Sequence, residues 1–223
     1  MLTPAGKVQP DRRRRPRSQM SHQNRTTPFS SVIADPARGL FMGNRGCLHR
    51  ADGQIIRAYA GKRWITCLTR FKGRRRALLQ PGRYTELFFL DEAVALAAGH
   101  RPCAECRRDD YRRFQAAWRA AGLPEAPGAD AMDLVLHTAR LDPATGQQRH
   151  HRADADALPD GAFALGDDLP LLKHRGRFLP WRPGGYAPAL PRPPRGPVTV
   201  LTPAPLVRIL VAGYQPVLHP SAG

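Results

Sequence analysis

Two cysteines separated by two residues, Cys103 and Cys106, constrain this 223-residue chain more than any other feature. A Cys-x-x-Cys turn brings two thiols close enough to bind one soft metal ion, and Zn²⁺ is the usual occupant. The chain contains four cysteines in all, the others being Cys47 and Cys67. Because a closed tetrahedral zinc site needs four ligands, all four thiols can serve one Zn²⁺ ion.

Two other uses of the cysteines are a redox dithiol and a pair of disulfides. A redox dithiol favours a thioredoxin-like βαβ context, whereas this pair follows a predicted helix and lies between Pro102 and Arg107. Two disulfides are the second alternative, but a chain of this length can build a hydrophobic core without them. We therefore favour a metal site.

The charge of the chain predicts a polyanionic partner. The formal net charge is +17, which indicates nucleic acid, with DNA as the expected partner and RNA as the alternative. An Arg-rich composition accounts for part of this charge. No hydrophobic run approaches the length of a membrane span, and the basic N-terminus lacks the apolar segment of a secretory signal. We therefore expect a cytoplasmic, nucleoid-associated protein, and the sequence leaves its oligomeric state open.

Composition divides the chain into three regions. Residues 1–28 predict a basic disordered tail, with Met20 as an alternative start. A first domain is expected over residues 29–122, followed by a linker rich in Pro and Gly and a β-rich domain over residues 131–223. The fold class expected from these regions is α+β, with a small α/β module followed by a small β-rich domain.

Local patterns predict the elements of both domains. Asp91 is an N-cap for a helix over 92–98 that ends at Gly99, and a second helix is expected over 109–121. A loop is expected over 150–156, and 206–212 predicts a short helix or strand. The predicted strands cover 54–59, 63–71, 77–80, 84–90, 134–136, 163–165, 169–172, 178–181 and 198–201.

The segment Phe88–Arg108, FFLDEAVALAAGHRPCAECRR, resembles the metal-binding domain of the Ada DNA repair protein family. That family has an aromatic strand, a helix of the type EAxAAG and then RPCxxC followed by basic residues. The resemblance is close over this segment and loose over 47–108, and the C-terminal half resembles no family. The matching residues are Glu92, Ala93, Ala97, Ala98, Gly99, Arg101, Pro102, Cys103 and Cys106.

The resemblance implies a four-cysteine zinc site on a small domain that contacts the DNA backbone. In the Ada family one zinc-bound thiolate takes a methyl group from a DNA methylphosphotriester. Zinc keeps cysteine as the thiolate at neutral pH, and the thiolate is the competent nucleophile. The protein would then be a stoichiometric methyltransferase, because each transfer consumes one cysteine.

The sequence departs from the family at the first pair of ligands. The family has a CxxxC pair whose first cysteine accepts the methyl group. Here Cys67, in WITCLTRF, resembles that first position, and Phe71 stands where the second cysteine would be. Cys47 is then the remaining thiol, and His49 and His100 are alternative ligands. The resemblance therefore implies Cys67 as the catalytic methyl acceptor, with a purely structural zinc site as the alternative.

A basic stretch surrounds Cys67. From Gly53 to Thr85 there is no Asp or Glu, so this stretch is a candidate phosphate-binding surface, with a solvated basic loop as the alternative. Trp64, Phe71 and Tyr84 lie among these cations and either stack on bases or belong to the core. With two cations flanking the Cys-x-x-Cys pair, the predicted nucleic-acid-binding residues are Arg57, Lys62, Arg63, Arg70, Lys72, Arg74, Arg75, Arg76, Arg83, Arg101 and Arg107.

The expected function is therefore a zinc-dependent DNA-binding protein of DNA repair, with methyl transfer as its sharper form. One alternative is a nuclease or base-processing enzyme with a structural zinc and its chemistry in the C-terminal half. That enzyme would bring His137, His151 and Asp154 together in a cleft. A second alternative is a non-enzymatic nucleic-acid-binding module, which would bind its target with unreactive cysteines.

Overall fold

The computed structural model describes residues 21–73, 77–125 and 128–223, which contain two six-stranded sheets and four α-helices. The first sheet has the order β2-β1-β5-β3-β4-β6, in which β1–β5 and β4–β6 are parallel pairs and the other neighbours are antiparallel. Its strands are β1 (Gln23–Thr26), β2 (Val32–Ala34), β3 (Phe41–Asn44), β4 (Ile65–Leu68), β5 (Leu87–Phe89) and β6 (Arg101–Pro102).

The second sheet comes from the C-terminal half. It has the order β11-β10-β9-β8-β12-β7, and all neighbouring strands are antiparallel. Its strands are β7 (His151–Asp154), β8 (Phe163–Gly166), β9 (Leu169–His174), β10 (Arg177–Arg182), β11 (Gly185–Tyr186) and β12 (Pro197–Val200).

The first two helices agree with the sequence expectations. Helix α1 (Glu92–Ala97) is capped by Asp91, whose Oδ1 accepts a hydrogen bond from the Val94 amide at 3.0 Å. Helix α2 (Arg108–Ala120) buries one face, with Tyr111, Phe114 and Trp118 among its buried residues. The other helices are α3 (Ala129–Arg140) and α4 (Ala204–Val211), and a 3₁₀ turn spans Pro220–Ala222.

The α+β class is confirmed, but several local predictions are wrong. The expected strand 134–136 lies inside α3, where Met132, Leu136 and Arg140 are buried at intervals of one helical turn. The expected loop 150–156 contains edge strand β7, which pairs with β12. The segments 54–59 and 77–80 are not strands, and Ile55 makes only an isolated bridge to His49.

Strand β1 lies inside the region expected to be a disordered tail, so the boundary at residue 28 is too late. This strand pairs with β2 and β5, and its polar residues Asn24 and Thr26 are buried. The sequence QNRT has no apolar alternation, which explains why the strand was missed. The first twenty residues of the tail lie outside the described part of the chain.

Two hydrophobic clusters hold the structure together, and each combines residues from both halves of the chain. One packs Phe114 and Trp118 of α2 with Ile209 of α4. The other packs Phe89 and the alanines of α1 against Phe163 of β8. The C-terminal half also fixes the N-terminus of α1, through hydrogen bonds to Asp91 and Glu92.

Asp91 and Glu92 accept buried hydrogen bonds from C-terminal tyrosines. The hydroxyl of Tyr186 donates to Asp91 at 2.8 Å, and that of Tyr214 donates to Glu92 at 2.6 Å. Because a buried carboxylate needs such partners, these bonds tie α1 to the second half of the chain.

The first sheet has two different faces. Phe41 and Phe89 point to the face that packs on α1, and both are buried. Met42, Asn44 and Phe88 alternate with these buried residues and are only half-buried. Alternation along a strand places them on the opposite face. The candidate site lies on that second face.

Candidate metal centre

The pairing of β4 with β6 brings three cysteines together. Cys67 lies in β4, and Cys103 follows directly after β6, its parallel neighbour. The Cys103 amide donates to the Thr66 carbonyl at 2.9 Å, which extends this pairing to the cysteine itself. Cys106 lies in the turn that leads into α2. The fold therefore places the Cys-x-x-Cys turn beside Cys67.

The three sulfur atoms form a compact cluster. The Sγ atoms of Cys67, Cys103 and Cys106 all lie within 4.8 Å of one another. Sulfurs that bind one zinc ion at about 2.3 Å in tetrahedral geometry are about 3.8 Å apart, so this spacing fits a shared metal ion. The Leu68 amide donates to Cys106 Sγ at 3.4 Å and the Glu105 amide donates to Cys103 Sγ at 3.4 Å. Such bonds stabilise negative charge on sulfur.

The thiols share protons, which separates their pKa values. The pKa of Cys103 is lowered because the thiols of Cys106 and Cys67 donate hydrogen bonds to its sulfur. The pKa values of Cys67 and Cys106 are raised, chiefly because their thiols donate to Cys103. Three thiolates cannot lie this close without a cation, so a bound divalent metal would replace the remaining protons.

A cavity of about 330 Å³ adjoins the cluster, and all three cysteines line it. Its floor is the second face of the first sheet. Two acidic residues, Glu86 and Glu105, also line it, and Glu86 is 3% exposed and accepts a hydrogen bond from the Leu79 amide at 2.9 Å. The apolar and aromatic lining residues are Met42, Ile65, Leu68, Phe71, Leu78, Tyr84 and Phe88.

The structure does not place Cys47 in the cluster. Along β3, Met42 lies opposite Cys67 and Asn44 lies opposite Ile65, so the chain runs away from Cys67 before it reaches Cys47. The Cys47 thiol donates instead to the His49 carbonyl, with 3.6 Å between sulfur and oxygen. The predicted set of four thiol ligands is therefore reduced to three in the observed grouping.

The two alternative histidine ligands are engaged elsewhere. His49 Nδ1 lies 2.6 Å from the Thr85 hydroxyl. His100 is fully buried, and its Nε2 accepts a hydrogen bond from Arg45 Nε at 3.1 Å. Neither residue belongs to the cysteine grouping found in the described part of the chain.

Six of the predicted nucleic-acid-binding cations are exposed, and they fall into two groups. Arg70 and Lys72 follow β4 on either side of Phe71, and Arg83 precedes Tyr84, so these three flank residues that line the cavity. The other group precedes β4, at the end remote from Cys67. Its members are Arg57, Lys62 and Arg63. The predicted contacts Arg74, Arg75 and Arg76 lie outside the described residues.

Arg101 and Arg107 are corrections to the predicted nucleic-acid surface, because both are buried. Arg101 makes a two-point ion pair with Asp133, with distances of 3.0 and 2.6 Å. Arg107 lies 2.8 Å from the Glu92 carboxylate and donates to Asp110 at 2.7 Å. Both guanidinium groups are thus buried beside carboxylates inside the fold and are not exposed on its surface.

Of the three aromatic residues considered for base stacking, Trp64 belongs to the core. It is 1% exposed, and the guanidinium carbons of Arg45 and Arg140 lie 4.1 and 3.9 Å from its ring centroid. Phe71 and Tyr84 are half-buried and line the cavity. Trp64 is therefore a core residue, which was the alternative to base stacking.

Arg25 is a residue near the site that sequence reasoning missed. Its guanidinium lies 4.8 Å from the centroid of Phe88, which lines the cavity. Arg25 fell within the expected tail, and the parallel pairing of β1 with β5 brings it to Phe88. No local sequence signal indicates this long-range pairing.

The residues proposed for chemistry in the C-terminal half do not form a metal-type grouping in the described chain. His137 lies on α3, where Arg140 Nη2 is 3.2 Å from its Nδ1. His151 and Asp154 lie at opposite ends of β7. These three residues therefore do not form a metal-binding group among the described residues.

The fold and the site define an α+β protein with a three-cysteine cluster suited to a metal ion. No helix in the described residues is both long and apolar enough to cross a bilayer. No protein-family model, curated protein or solved structure matches this chain. The interpretation of the site therefore depends on its own geometry.

Proposed function

We propose that this chain is a zinc-dependent DNA-binding protein of DNA damage repair and that Cys67 accepts an alkyl group from an alkylated DNA phosphate. One observation carries the proposal: the sulfurs of Cys67, Cys103 and Cys106 converge within 4.8 Å beside a cavity flanked by exposed cations. Thiolates select zinc among the common divalent ions, and positive residues around the cavity favour a phosphate backbone.

The charges inside the cavity favour an uncharged phosphotriester over an ordinary diester. One Zn²⁺ with three thiolates carries a net charge of −1, and Glu86 and Glu105 add further negative charge to the lining. A phosphodiester anion is repelled there, whereas an alkylated phosphate is neutral. The apolar lining suits the alkyl group, and Arg70, Lys72 and Arg83 would bind neighbouring phosphates at the rim.

The transfer is a single displacement at the alkyl carbon. The Cys67 sulfur donates an electron pair to that carbon, so an S–C bond forms and the C–O bond of the phosphotriester breaks. The electron pair of the broken bond leaves with oxygen, which restores a phosphodiester anion. Bound zinc keeps the cysteine sulfurs deprotonated at neutral pH. Because Cys67 ends as a thioether, each chain reacts once.

Intact-protein mass spectrometry tests this proposal. The protein is incubated with DNA carrying methylphosphotriesters, and zinc is quantified on the same sample. We expect one zinc ion per chain and a mass gain of one methyl group on Cys67. Cys67→Ser should abolish the gain, whereas the matched control Cys47→Ser should retain it, because Cys47 lies outside the cluster.

Two outcomes would contradict the proposal. Zinc without any methyl gain would leave a structural metal site and remove the transfer reaction. If the chain binds no zinc under reducing conditions, the metal-dependent function is contradicted altogether, because the three sulfurs then share no metal ion.

A further inference from the structure

We infer that the bound metal ion has three protein ligands and one coordination position open to the cavity. This inference rests on the proposed function, because that function supplies the metal ion. We further infer that this position binds a small thiol from solution. Cys67, Cys103 and Cys106 are the three protein ligands. Such a site differs from a closed four-cysteine site, because the tetrahedral coordination of its metal ion is complete only when a donor from outside the protein binds.

Cys47 lies outside the three-cysteine cluster. The β3–β4 register places Met42 opposite Cys67, and Cys47 lies beyond the far end of that pairing. Its region is held by other bonds, since the Gly46 carbonyl accepts from the Thr85 amide at 3.0 Å and the Leu48 amide donates to Thr85 Oγ1 at 2.8 Å. Bonds on both sides of Cys47 therefore fix it outside the cluster.

The other candidate donors for the fourth coordination position are two histidines and two glutamates. His49 and His100 are held by Thr85 and Arg45 respectively. Glu86 accepts a hydrogen bond from the Leu79 amide, and Glu105 supplies its backbone amide to Cys103 Sγ. Carboxylate oxygen is a harder donor than thiolate sulfur, and a site that already has three thiolates favours a soft fourth ligand.

The cavity gives a molecule from solution access to the cluster. The three cysteines line a space of about 330 Å³, so an outside ligand can reach the sulfur cluster. Small-molecule sites begin at about 300 Å³, which limits the ligand to a compact molecule. The aliphatic and aromatic lining favours an apolar body, and the two glutamates disfavour a second negative group on it.

A thiol meets these conditions and leaves an acceptable charge. On binding, its S–H bond breaks, the proton passes to solvent and the sulfur donates an electron pair to the metal. Nothing is oxidised or reduced. The site then carries −2, the same net charge as an ordinary zinc site with four cysteines.

Cobalt substitution tests the inference, because the intensity of thiolate-to-Co²⁺ charge-transfer absorption reports the number of bound thiolates. The full chain is loaded with Co²⁺ in a phosphine reductant that contains no thiol, and is then titrated with benzenethiol. We expect the charge-transfer intensity to rise by about one third as a fourth sulfur joins three. Cys47→Ser should give the same starting spectrum and the same rise.

Three outcomes separate the inference from the proposed function. If Cys47→Ser lowers the starting intensity by about one quarter and benzenethiol adds nothing to the wild type, the site is a closed four-thiolate site and the inference fails alone. If benzenethiol binds only in Glu105→Gln, a carboxylate fills the position and the inference again fails. If wild-type protein binds no Co²⁺ or Zn²⁺, the proposed function fails as well. The wild-type titration does not depend on whether any variant folds.

Discussion

Asp133→Asn should destabilise the protein strongly, because it removes the charge that neutralises a buried arginine. The Arg101 and Asp133 side chains are 2% and 3% exposed, and two hydrogen bonds join them. Arg101 directly precedes Pro102 and Cys103, so the pair also fixes the Cys-x-x-Cys turn. Removing one partner of a buried pair typically costs about 3–5 kcal/mol.

Urea unfolding measures this loss. With a slope of about 2 kcal/mol per molar, the expected loss lowers the midpoint by about 2 M. Asp130→Asn is the matched control on the same helix, because it breaks an ion pair with Arg63 whose side chains are 65% and 81% exposed. That exposed pair contributes less than about 1 kcal/mol.

A second variant separates lost charge from lost packing. Burial raises the pKa of the Asp133 carboxyl, and the hydrogen bonds from Arg101 lower it by less, so the ion pair is costly to bury. The double variant Arg101→Met with Asp133→Leu should therefore recover most of the stability. If the free energy of unfolding of Asp133→Asn lies within about 1 kcal/mol of the wild-type value, the ion pair does not hold Arg101 inside the fold. Arg101 is then again a candidate phosphate contact.

Three further variants can be measured by urea unfolding. Burial and Arg45 hold the pKa of His100 well below 6.5, so the unfolded chain binds a proton first and stability should fall as pH drops below 6.5; His100→Gln should weaken this dependence. Gly99→Ala should cost more than about 1 kcal/mol, because φ is +83° and a Cβ would lie 2.7 Å from the Arg140 side chain. Tyr186→Phe should cost about 1–3 kcal/mol by removing the hydrogen bond to buried Asp91.

Local sequence signals predicted the elements that have strong local causes. Helix α1 has a capping aspartate and a glycine at its end, and α2 has apolar residues at helical spacing. Strand β1 was missed because its buried residues are polar and gain their partners from strands remote in sequence. Helix α3 was missed because the run Leu134–Leu136 resembles a short strand. The buried face of the helix includes Asp133 and Arg140, so it does not show as an apolar pattern in the sequence.

The sequence predicted the part of the candidate site that has a local sequence signal. The Cys-x-x-Cys pair is local, and Cys67 lies in a strand that the sequence indicated. The separation of Cys47 from these residues depends on the register of β3 with β4, which no short motif encodes. Arg101 and Arg107 look like surface charges in the sequence, and only tertiary structure supplies the carboxylates that bury them.

The two faces of the first sheet explain how a small domain can present three thiols beside an open cavity. Phe41 and Phe89 bury one face against α1, and the C-terminal half completes that core through Phe163. The opposite face does not pack against this core, so Met42 and Phe88 can form the floor of a cavity next to Cys67. In this arrangement the C-terminal half packs behind the sheet that carries the cysteine cluster, and its tyrosines also hold the start of the helix that leads to β6. The acidic residues at that helix start, which resemble an ordinary capping sequence, thus connect the second sheet to the cysteine turn.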